Sequence, residues 1–440
     1  MRTSFQRISV ALTSVFVLSA GIGRAQERPN GFYLLTPATL SSGYDDRFVV
    51  GSQSLSDSVT LLTSPTMAWM HSTHRSMFSL DYQGEGELFS QQTSLDAWNH
   101  LANLHFTNQF SARWSMEIGD SFLSTMDPTR KIENSLLLLP RGRFNDNSFY
   151  TRLVYRISHK TKVTGRFDNS YTTMDLPEGL AGRLDRSAFA GTLTLDHDVA
   201  RRHSFEANYS YLFVHSLQNT PDTLDNSIQN ANLGYIYSAN PGLTLRFFGG
   251  VSHGTAAGTN SAFTGAAAVD KKFGDLWLSA GYQRYVAFFG GFVPNLTQSV
   301  TTQLTGTLPI TQGVAPNSVY NVIALRAWGH LTRRVALEGV AQRALNGVTA
   351  DNRGIKSVML QAKVTYQLRS RLNLFAQSDF YGQNVSEFIP FALSRRRYFG
   401  GIEIVLARAP ELTANPNRKR PGGTGPNDDD DKEKTTEGHQ

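Results

Sequence analysis

The sequence predicts an all-β protein, a transmembrane antiparallel β-barrel of 16–18 strands with long external loops and short periplasmic turns. Three observations carry that reading. Between Ser148 and Leu406 the chain repeats about a dozen residues of apolar/polar alternation followed by a break. In Ser148–Ser158, Phe149, Thr151, Leu153, Tyr155 and Ile157 share one face, and Tyr150, Arg152, Val154, Arg156 and Ser158 the other, because consecutive side chains of a strand point to opposite sides. Such segments have the length that crosses a bilayer at a tilt. The breaks are alternately short and long, as the two rims of such a barrel require. The third observation is an export signal: Arg2 and Arg7, then the apolar stretch Ile8–Ala20, then Gly23-Arg24-Ala25, with cleavage expected after Ala25.

The strands follow in order. Residues 26–43 are weakly patterned and read as a periplasmic lead-in, with the barrel expected over 44–406. Tyr44–Ser52 and Val59–Met70 are the first two strand candidates. Stronger alternation begins with Met77–Phe89 and Trp98–Phe110, where Trp98, Ala102, Leu104 and Phe106 share a parity. Arg113–Leu123, Ser148–Ser158, Lys162–Thr173, Phe189–Val199 and Phe205–His215 come next. Ala231–Tyr237 and Leu243–Val251 flank Asn240-Pro241-Gly242, residues suited to a tight reversal. Phe263–Phe273 and Leu276–Phe288 flank Gly274-Asp275, and a long stretch, Phe289–Asn317, follows. Val319–Ala327, Val335–Leu345, Val358–Leu368, Leu372–Tyr381 and Tyr398–Leu406 complete the series. Short basic turns recur at His159-Lys160, Arg201-Arg202, Lys271-Lys272, Arg333-Arg334 and around Arg369 and Arg371. Counting from Met77 gives 16 strands, and the two N-terminal candidates make 18; either even number returns both ends of the barrel to the periplasmic side. Residues 407–440 have almost no apolar side chains, carry Arg418-Lys419-Arg420 and the acidic run Asp428–Asp431, and read as a disordered periplasmic tail.

Composition narrows the classes further. The chain contains no cysteine, which removes disulfides, thiolate metal sites, c-type haem attachment and an N-terminal lipidated cysteine. After the N-terminal segment no apolar run is long enough for a spanning helix, and the mean hydropathy of −0.29 suits a barrel whose inner face is polar. Arg2, Arg7 and Arg24 supply three of the six formal positive charges, so the exported chain is only mildly basic and is not read as a nucleic-acid binder.

Motifs with catalytic overtones do not assemble. Gly119-Asp120-Ser121-Phe122 looks like a serine-esterase nucleophile block, but it falls inside a strand and has no matching downstream Asp-x-x-His. His71 and His74 sit in a predicted turn without a nearby carboxylate, and His197 points away from Asp196 and Asp198. No enzyme activity, metal or cofactor is expected. The informative charges are those whose parity turns them inward: Arg113, Arg152, Arg156, Lys162, Arg166, Glu206, Arg246, Arg326, Glu338 and Lys363. They describe either a charged channel that selects solutes or a lumen cross-braced by salt bridges and partly closed. Arg152, Arg156, Lys162 and Arg166 fall on consecutive strands and would form a local basic strip. Phe149, Tyr150, Tyr171, Phe388, Phe391 and Tyr398 would form an aromatic band near the long loops, and Phe110, Trp114, Phe205, Phe247, Trp277 and Trp328 one near the short turns.

The signal segment, the alternating strands and the final strand Arg397–Leu406 resemble the β-barrel porin families of Gram-negative bacteria. The opening Tyr44-Asp45-Asp46-Arg47-Phe48, with Thr60–Met70 and Ser76–Tyr82, resembles the start of barrels often encoded beside exopolysaccharide export genes. That resemblance implies an outer-membrane location and a passive porin-like channel for small solutes. It also admits an accessory barrel for exopolysaccharide export or envelope assembly without an open pore. The partners it implies are outer-membrane lipid and lipopolysaccharide, the barrel assembly machinery, and a periplasmic or exopolysaccharide-export partner met through the tail. The final strand ends Val405-Leu406, where such barrels usually end on an aromatic residue.

Overall fold

A computed structural model describes residues 30–50, 53–127, 141–175, 183–217, 226–240, 242–254, 260–289, 315–347, 355–384 and 393–406. Every strand segment belongs to one antiparallel sheet, and the sheet closes on itself into an 18-strand transmembrane barrel. The first two strands are each broken once. Strand β1 comprises Gly31–Leu34 and Ala38–Val50, and β2 comprises Gln53–Thr63 and Met67–Ser72. Both halves of β1 pair with the matching halves of β2, and β3 (Ser76–Phe89) pairs with both halves of β2, so the breaks are irregularities within strands. Pro65 lies at one of them, where its missing N–H would interrupt a continuous ladder.

The remaining strands follow the chain. They are β4 (Ala97–Gln109), β5 (Trp114–Thr125), β6 (Phe144–Arg156), β7 (Thr161–Asp175), β8 (Arg183–Ala200) and β9 (His203–Ser216). Then come β10 (Asn226–Asn240), β11 (Leu243–Gly254), β12 (Asn260–Phe273), β13 (Leu276–Phe289) and β14 (Ala315–His330). Last are β15 (Val335–Gly347), β16 (Ile355–Arg369), β17 (Leu372–Gln383) and β18 (Leu393–Ile404). Each strand pairs with the next, and β18 pairs with β1 from Ala38↔Ile404 to Asp46↔Arg396. Closure pairs the first strand with the last, so that seam exposes no edge of unpaired backbone donors, which hydrocarbon could not satisfy.

Alternation along these strands separates two faces. Leu80, Leu153, Phe167, Leu193, Leu233, Phe247, Leu325 and Leu360 are exposed on the outside, while the neighbouring inward positions Ser79, Arg166, Thr192, Arg246 and Gln283 are buried. An apolar exterior over a polar interior is the inverse of a soluble sheet and matches a barrel whose solvent is lipid. Short turns and long connections alternate between rims. Gly274 takes the left-handed φ of 59° in the two-residue turn from β12 to β13, a conformation that a tight hairpin requires and glycine supplies.

Several boundaries differ from the pattern. Residues 31–43, expected as lead-in, already form the first half and much of the second half of β1. Strand β8 begins at Arg183, ahead of the expected start at Phe189, and β14 at Ala315, inside the stretch read as a long loop. The common cause is that strands continue past the apolar belt into polar sequence, where hydrophobic alternation no longer marks them. Arg113 lies in the turn before β5, not inside it. The predicted signal segment, the tail 407–440, Phe388 and Phe391 lie outside the described residues.

Two departures from regular geometry shape the interior. At β1 the pairing with β2 shifts between Asp45 and Phe48, and Arg47 adopts φ 59°. This bulge resets the alternation, so Asp45 and Phe48 are both buried inside. Strand β13 pairs with β12 only as far as Gly265↔Arg284, although both strands continue toward the long-loop rim. Beyond that point β13 and β14 stay paired to each other, and Val286 packs with Ala188, Ala190, Leu212 and Ile228 from the inner face of β8, β9 and β10. The described long-loop ends of β13 and β14 have therefore left the wall and lie against its inside.

Candidate functional site

The candidate functional surface is the inner wall, and two groups of its charges stand out. The first lies at mid-height on β4 to β7. Glu117 accepts from the Tyr150 hydroxyl at 2.7 Å and from Arg152 at 3.4 Å, and its other near neighbour is His105 at 3.2 Å. Gly119 explains how Tyr150 gets there. A Cβ at position 119 would stand 2.2 Å from the Tyr150 ring, so only glycine leaves room for the ring to lie along the wall. The Arg166 guanidinium covers the Tyr150 ring at 4.5 Å and donates two bonds, at 2.8 and 2.6 Å, to one Asp168 oxygen. The Gly119-Asp120-Ser121-Phe122 segment thus has a packing role. Asp120 faces outward, opposite Leu104 and Phe149.

The second group lies at the long-loop end and is buried. Asp127, just after β5, is its hub. Arg395 of β18 grips two carboxylates at once: Asp45 at 2.8 and 2.5 Å and Asp127 at 3.0 and 2.8 Å. Arg397 donates to Asp379 at 2.9 Å, to the Tyr381 hydroxyl at 3.2 Å and to Asp127 at 3.5 Å. Arg141 donates to Glu87 at 2.7 Å, stands 3.8 Å from Asp127 and covers the Phe89 ring at 4.8 Å. Its backbone N–H donates to the Val49 carbonyl, which fixes it against the end of β1. Burial opposes the charged form of Asp127, but Arg395, Arg141 and Arg397 outweigh it and hold the carboxyl well below the usual range. The two residues that bracket the β5–β6 connection, Asp127 and Arg141, therefore reach inside the barrel and tie β1, β3, β17 and β18 together.

The ten predicted inward residues distribute as follows. Arg152 and Arg166 are directly opposite across β6 and β7, as are Arg156 and Lys162. Their juxtaposition is as the strip required, but carboxylates interleave: Glu117 with Arg152, Asp168 with Arg166, and Asp196 with Lys162 at 3.5 Å. Glu206 lies opposite Asp196. Arg246 is ion-paired with Asp270, which also accepts at 2.5 Å from Ser279. Lys363 meets Glu403 at 2.5 Å and lies opposite Glu338. Arg326 covers the Trp328 ring at 5.0 Å. Arg113 sits exposed at the short-turn rim. Among the described residues no group of three metal-ligating side chains occurs.

Sequence pattern missed the hub. Asp45, Asp127, Arg141, Arg395 and Arg397 lie at strand ends, a bulge or a connection, where parity is not readable. The readable trace is Arg395-Arg396-Arg397, whose outer members face in while Arg396 faces out. The aromatic bands need two corrections, of which the first is Tyr150, turned inward onto Glu117. Phe149, Tyr171, Tyr398, Phe110, Trp114, Phe205 and Phe247 are exposed on the outside, but Trp277 and Trp328 pair on the same face as Ser279 and Arg326 and turn inward, ring against ring at 6.0 Å.

Comparison with solved structures returns barrels of the outer membrane. A BenF-like porin from Pseudomonas fluorescens Pf-5 is 13% identical, with 84% of this chain and 98% of that chain covered at a TM-score of 0.46. A copper transporter, OprC, is 9% identical over 87% of this chain and 67% of that one, at 0.44. The siderophore receptor PirA from Pseudomonas aeruginosa is 11% identical over 86% and 80%, at 0.40. No protein-family model matches the chain, and no curated protein matches it. With TM-scores this low, the assignment stands on the closed strand ladder and the outward apolar face, which together define a bacterial outer-membrane β-barrel of porin-like architecture.

Proposed function

We propose that the chain is a passive channel for small solutes whose outer mouth is narrowed by its own side chains. The observation that carries this reading is the contrast in access between Arg152 and Lys162 on β6 and β7 and the closed hub at the long-loop end. At mid-height and below, β6 and β7 keep some charged side chains open, with Arg152 38% and Lys162 46% exposed, while Arg166 and Arg246 are closed down in ion pairs at 6% and 8%. At the long-loop end Arg395 and Asp127 are 6% and 1% exposed. Water therefore reaches far into the interior from the short-turn side and meets a constriction of paired charges. The candidate lining residues are Arg152, Arg156, Lys162, Arg166, Glu206, Arg246, Arg326, Glu338 and Lys363, with Arg113 at the rim. Because carboxylates alternate with these cations, selectivity between anions and cations should be weak. An outer-membrane barrel works among lipopolysaccharide and is installed by the barrel assembly machinery.

A second reading has its own support. The long-loop end of β13, packed on the inner wall through Val286, together with Asp127 and Arg141, suits a barrel without an open pore that serves exopolysaccharide export or envelope assembly as an accessory. Single-channel recording of purified protein in planar bilayers separates the two. The channel reading expects stepwise conductance with a reversal potential near zero in a salt gradient. Silence would reject it and favour the accessory role.

A further inference from the structure

We propose that the outward face of β13 to β18 carries a binding site for the phosphorylated headgroup of an anionic outer-leaflet glycolipid, built by Arg284, Arg343 and Arg396. All three are exposed on the lipid side of the wall. Arg284 of β13 lies across from Asn321, Arg343 of β15 from Ile323 and Val358, and Arg396 of β18 from Phe380. Each stands only a few residues short of the long-loop end of its strand, since those strands end at Phe289 and Gly347 and begin at Leu393. The three guanidinium groups thus sit at one level, near the external interface. Lys356 of β16 lies on the same face, nearer the rim.

Counter-charge is missing. Among the described residues, no outward position of β13 to β18 is Asp or Glu; Glu338, Asp379 and Glu403 all face inward. Across the closing seam Asp46 lies opposite Arg396, but it is engaged by Arg47 at 3.7 Å and by the Ser56 hydroxyl at 2.8 Å. At the same height on β2 to β7 and β9 to β12, the outward described positions carry no lysine or arginine. An arginine on the lipid face is unfavourable unless its charge reaches polar groups, and an opposite charge at that depth offsets the cost. In the outer leaflet that charge is a headgroup phosphate.

Local geometry favours one bound molecule over a diffuse ion cloud. Adjacent strands are about 4.8 Å apart, so Arg284 and Arg343, two strands apart, stand roughly 10 Å from each other, and Arg396, three strands beyond Arg343, roughly 14 Å from it, spacings that flexible side chains bridge to the two phosphates of one bis-phosphorylated sugar headgroup. Arg284 sits where β13 parts from β12, and its Nε donates to the Phe263 carbonyl at 3.2 Å, which holds the guanidinium in place and leaves its terminal nitrogens to a ligand. Arg396 is held over the Phe380 ring at 6.0 Å. Leu325, Leu345, Leu360 and Phe380 supply apolar surface below and between, where acyl chains would lie.

Native mass spectrometry of the detergent-purified full-length protein tests this, with bis-phosphorylated lipid A as the probe. The wild type should retain one lipid A molecule. The triple variant Arg284→Gln/Arg343→Gln/Arg396→Gln should bind it roughly tenfold more weakly, and the corresponding triple Lys variant should stay close to wild type. Heat-modifiable migration reports that each variant is folded, and Arg343→Gln alone, expected to weaken retention about threefold, serves if the triple variant does not insert. Equal retention by the folded triple Gln variant, or by the single variant in its place, would overturn the site. So would equal retention of dephosphorylated lipid A, which would mean an apolar annulus only. Displacement of lipid A by millimolar inorganic phosphate would overturn the lipid as the ligand and leave a simple phosphate site.

Discussion

At the residue scale the period-two rule decides most of what matters. Leu153, Leu193 and Leu360 face lipid, while Arg152, Thr194 and Gln361 face the interior, as alternation predicts. A charge placed outside at mid-membrane loses hydration without a partner, whereas one placed inside meets water and polar neighbours. Leu193→Arg should therefore cost about 2–4 kcal/mol of barrel stability, and Thr194→Arg should cost much less. Urea titration in detergent or lipid vesicles measures both; equal losses would mean the faces are misassigned. The same rule was silent about Gly119, whose meaning depends on the Tyr150 ring from the next strand, and about Arg395, whose two carboxylate partners come from the opposite end of the chain and from a connection. Parity tells which way a side chain points but not what it meets there.

At the element scale the legible part was the strand series, and the illegible part was where a strand leaves its neighbour. Alternation in Leu276–Phe288 continues through Val286, so nothing in that stretch announces that β12 lets go at Gly265. Departure becomes visible only when Val286 is seen against Ala188, Ala190, Leu212 and Ile228. An outward position by count has become a contact with the inner wall, and its apolar character suits either location. This yields a prediction on the pore. Val286→Asp would set a carboxylate among buried apolar side chains, which is unfavourable without a partner, so the long-loop ends of β13 and β14 should detach. Single-channel conductance should then rise while the heat-modifiable migration of the barrel stays. Unchanged conductance would show that this contact does not restrict the path.

The inner charges scale between element and wall. Arg152, Arg156, Lys162 and Arg166 do stand together on β6 and β7, but Glu117, Asp168 and Asp196 divide the strip into pairs. Sequence counting found both signs and could not tell pairing from segregation, because register between strands fixes which charges touch. Reversal of one cation therefore changes less than its formal charge implies. Arg156→Glu, at the open end of β6, should move the reversal potential in a salt gradient toward cations by a small amount that vanishes in high salt. A shift that persists in molar salt would place Arg156 in a narrow, poorly screened part of the path.

At the scale of the whole molecule, closure of the barrel and the buried hub are one problem. The first and last strands meet only at the seam between β1 and β18, and Arg395 spans it, holding Asp45 of β1 and Asp127 beside β5. Buried charges are favourable only as a complete set, so removing one member leaves the others uncompensated. Asp127→Asn should lower stability at neutral pH by about 2–3 kcal/mol, read as an earlier loss of heat-modifiable migration. The pH dependence has a definite sign. Arg395, Arg141 and Arg397 depress the Asp127 carboxyl in the folded barrel below its value in the unfolded chain, near 3.9. Its contribution is therefore fully present above that unfolded value and disappears as pH falls through the lower folded one. Between neutrality and about pH 4 the wild type should show little change on this account, with loss confined to stronger acid. The Asn variant, already without the charge, should have a flatter acid limb and converge on the wild type there. If the variant instead lost stability in parallel with the wild type at every pH, the hub would not be what holds the seam, and the acid sensitivity would belong to other carboxylates of the wall.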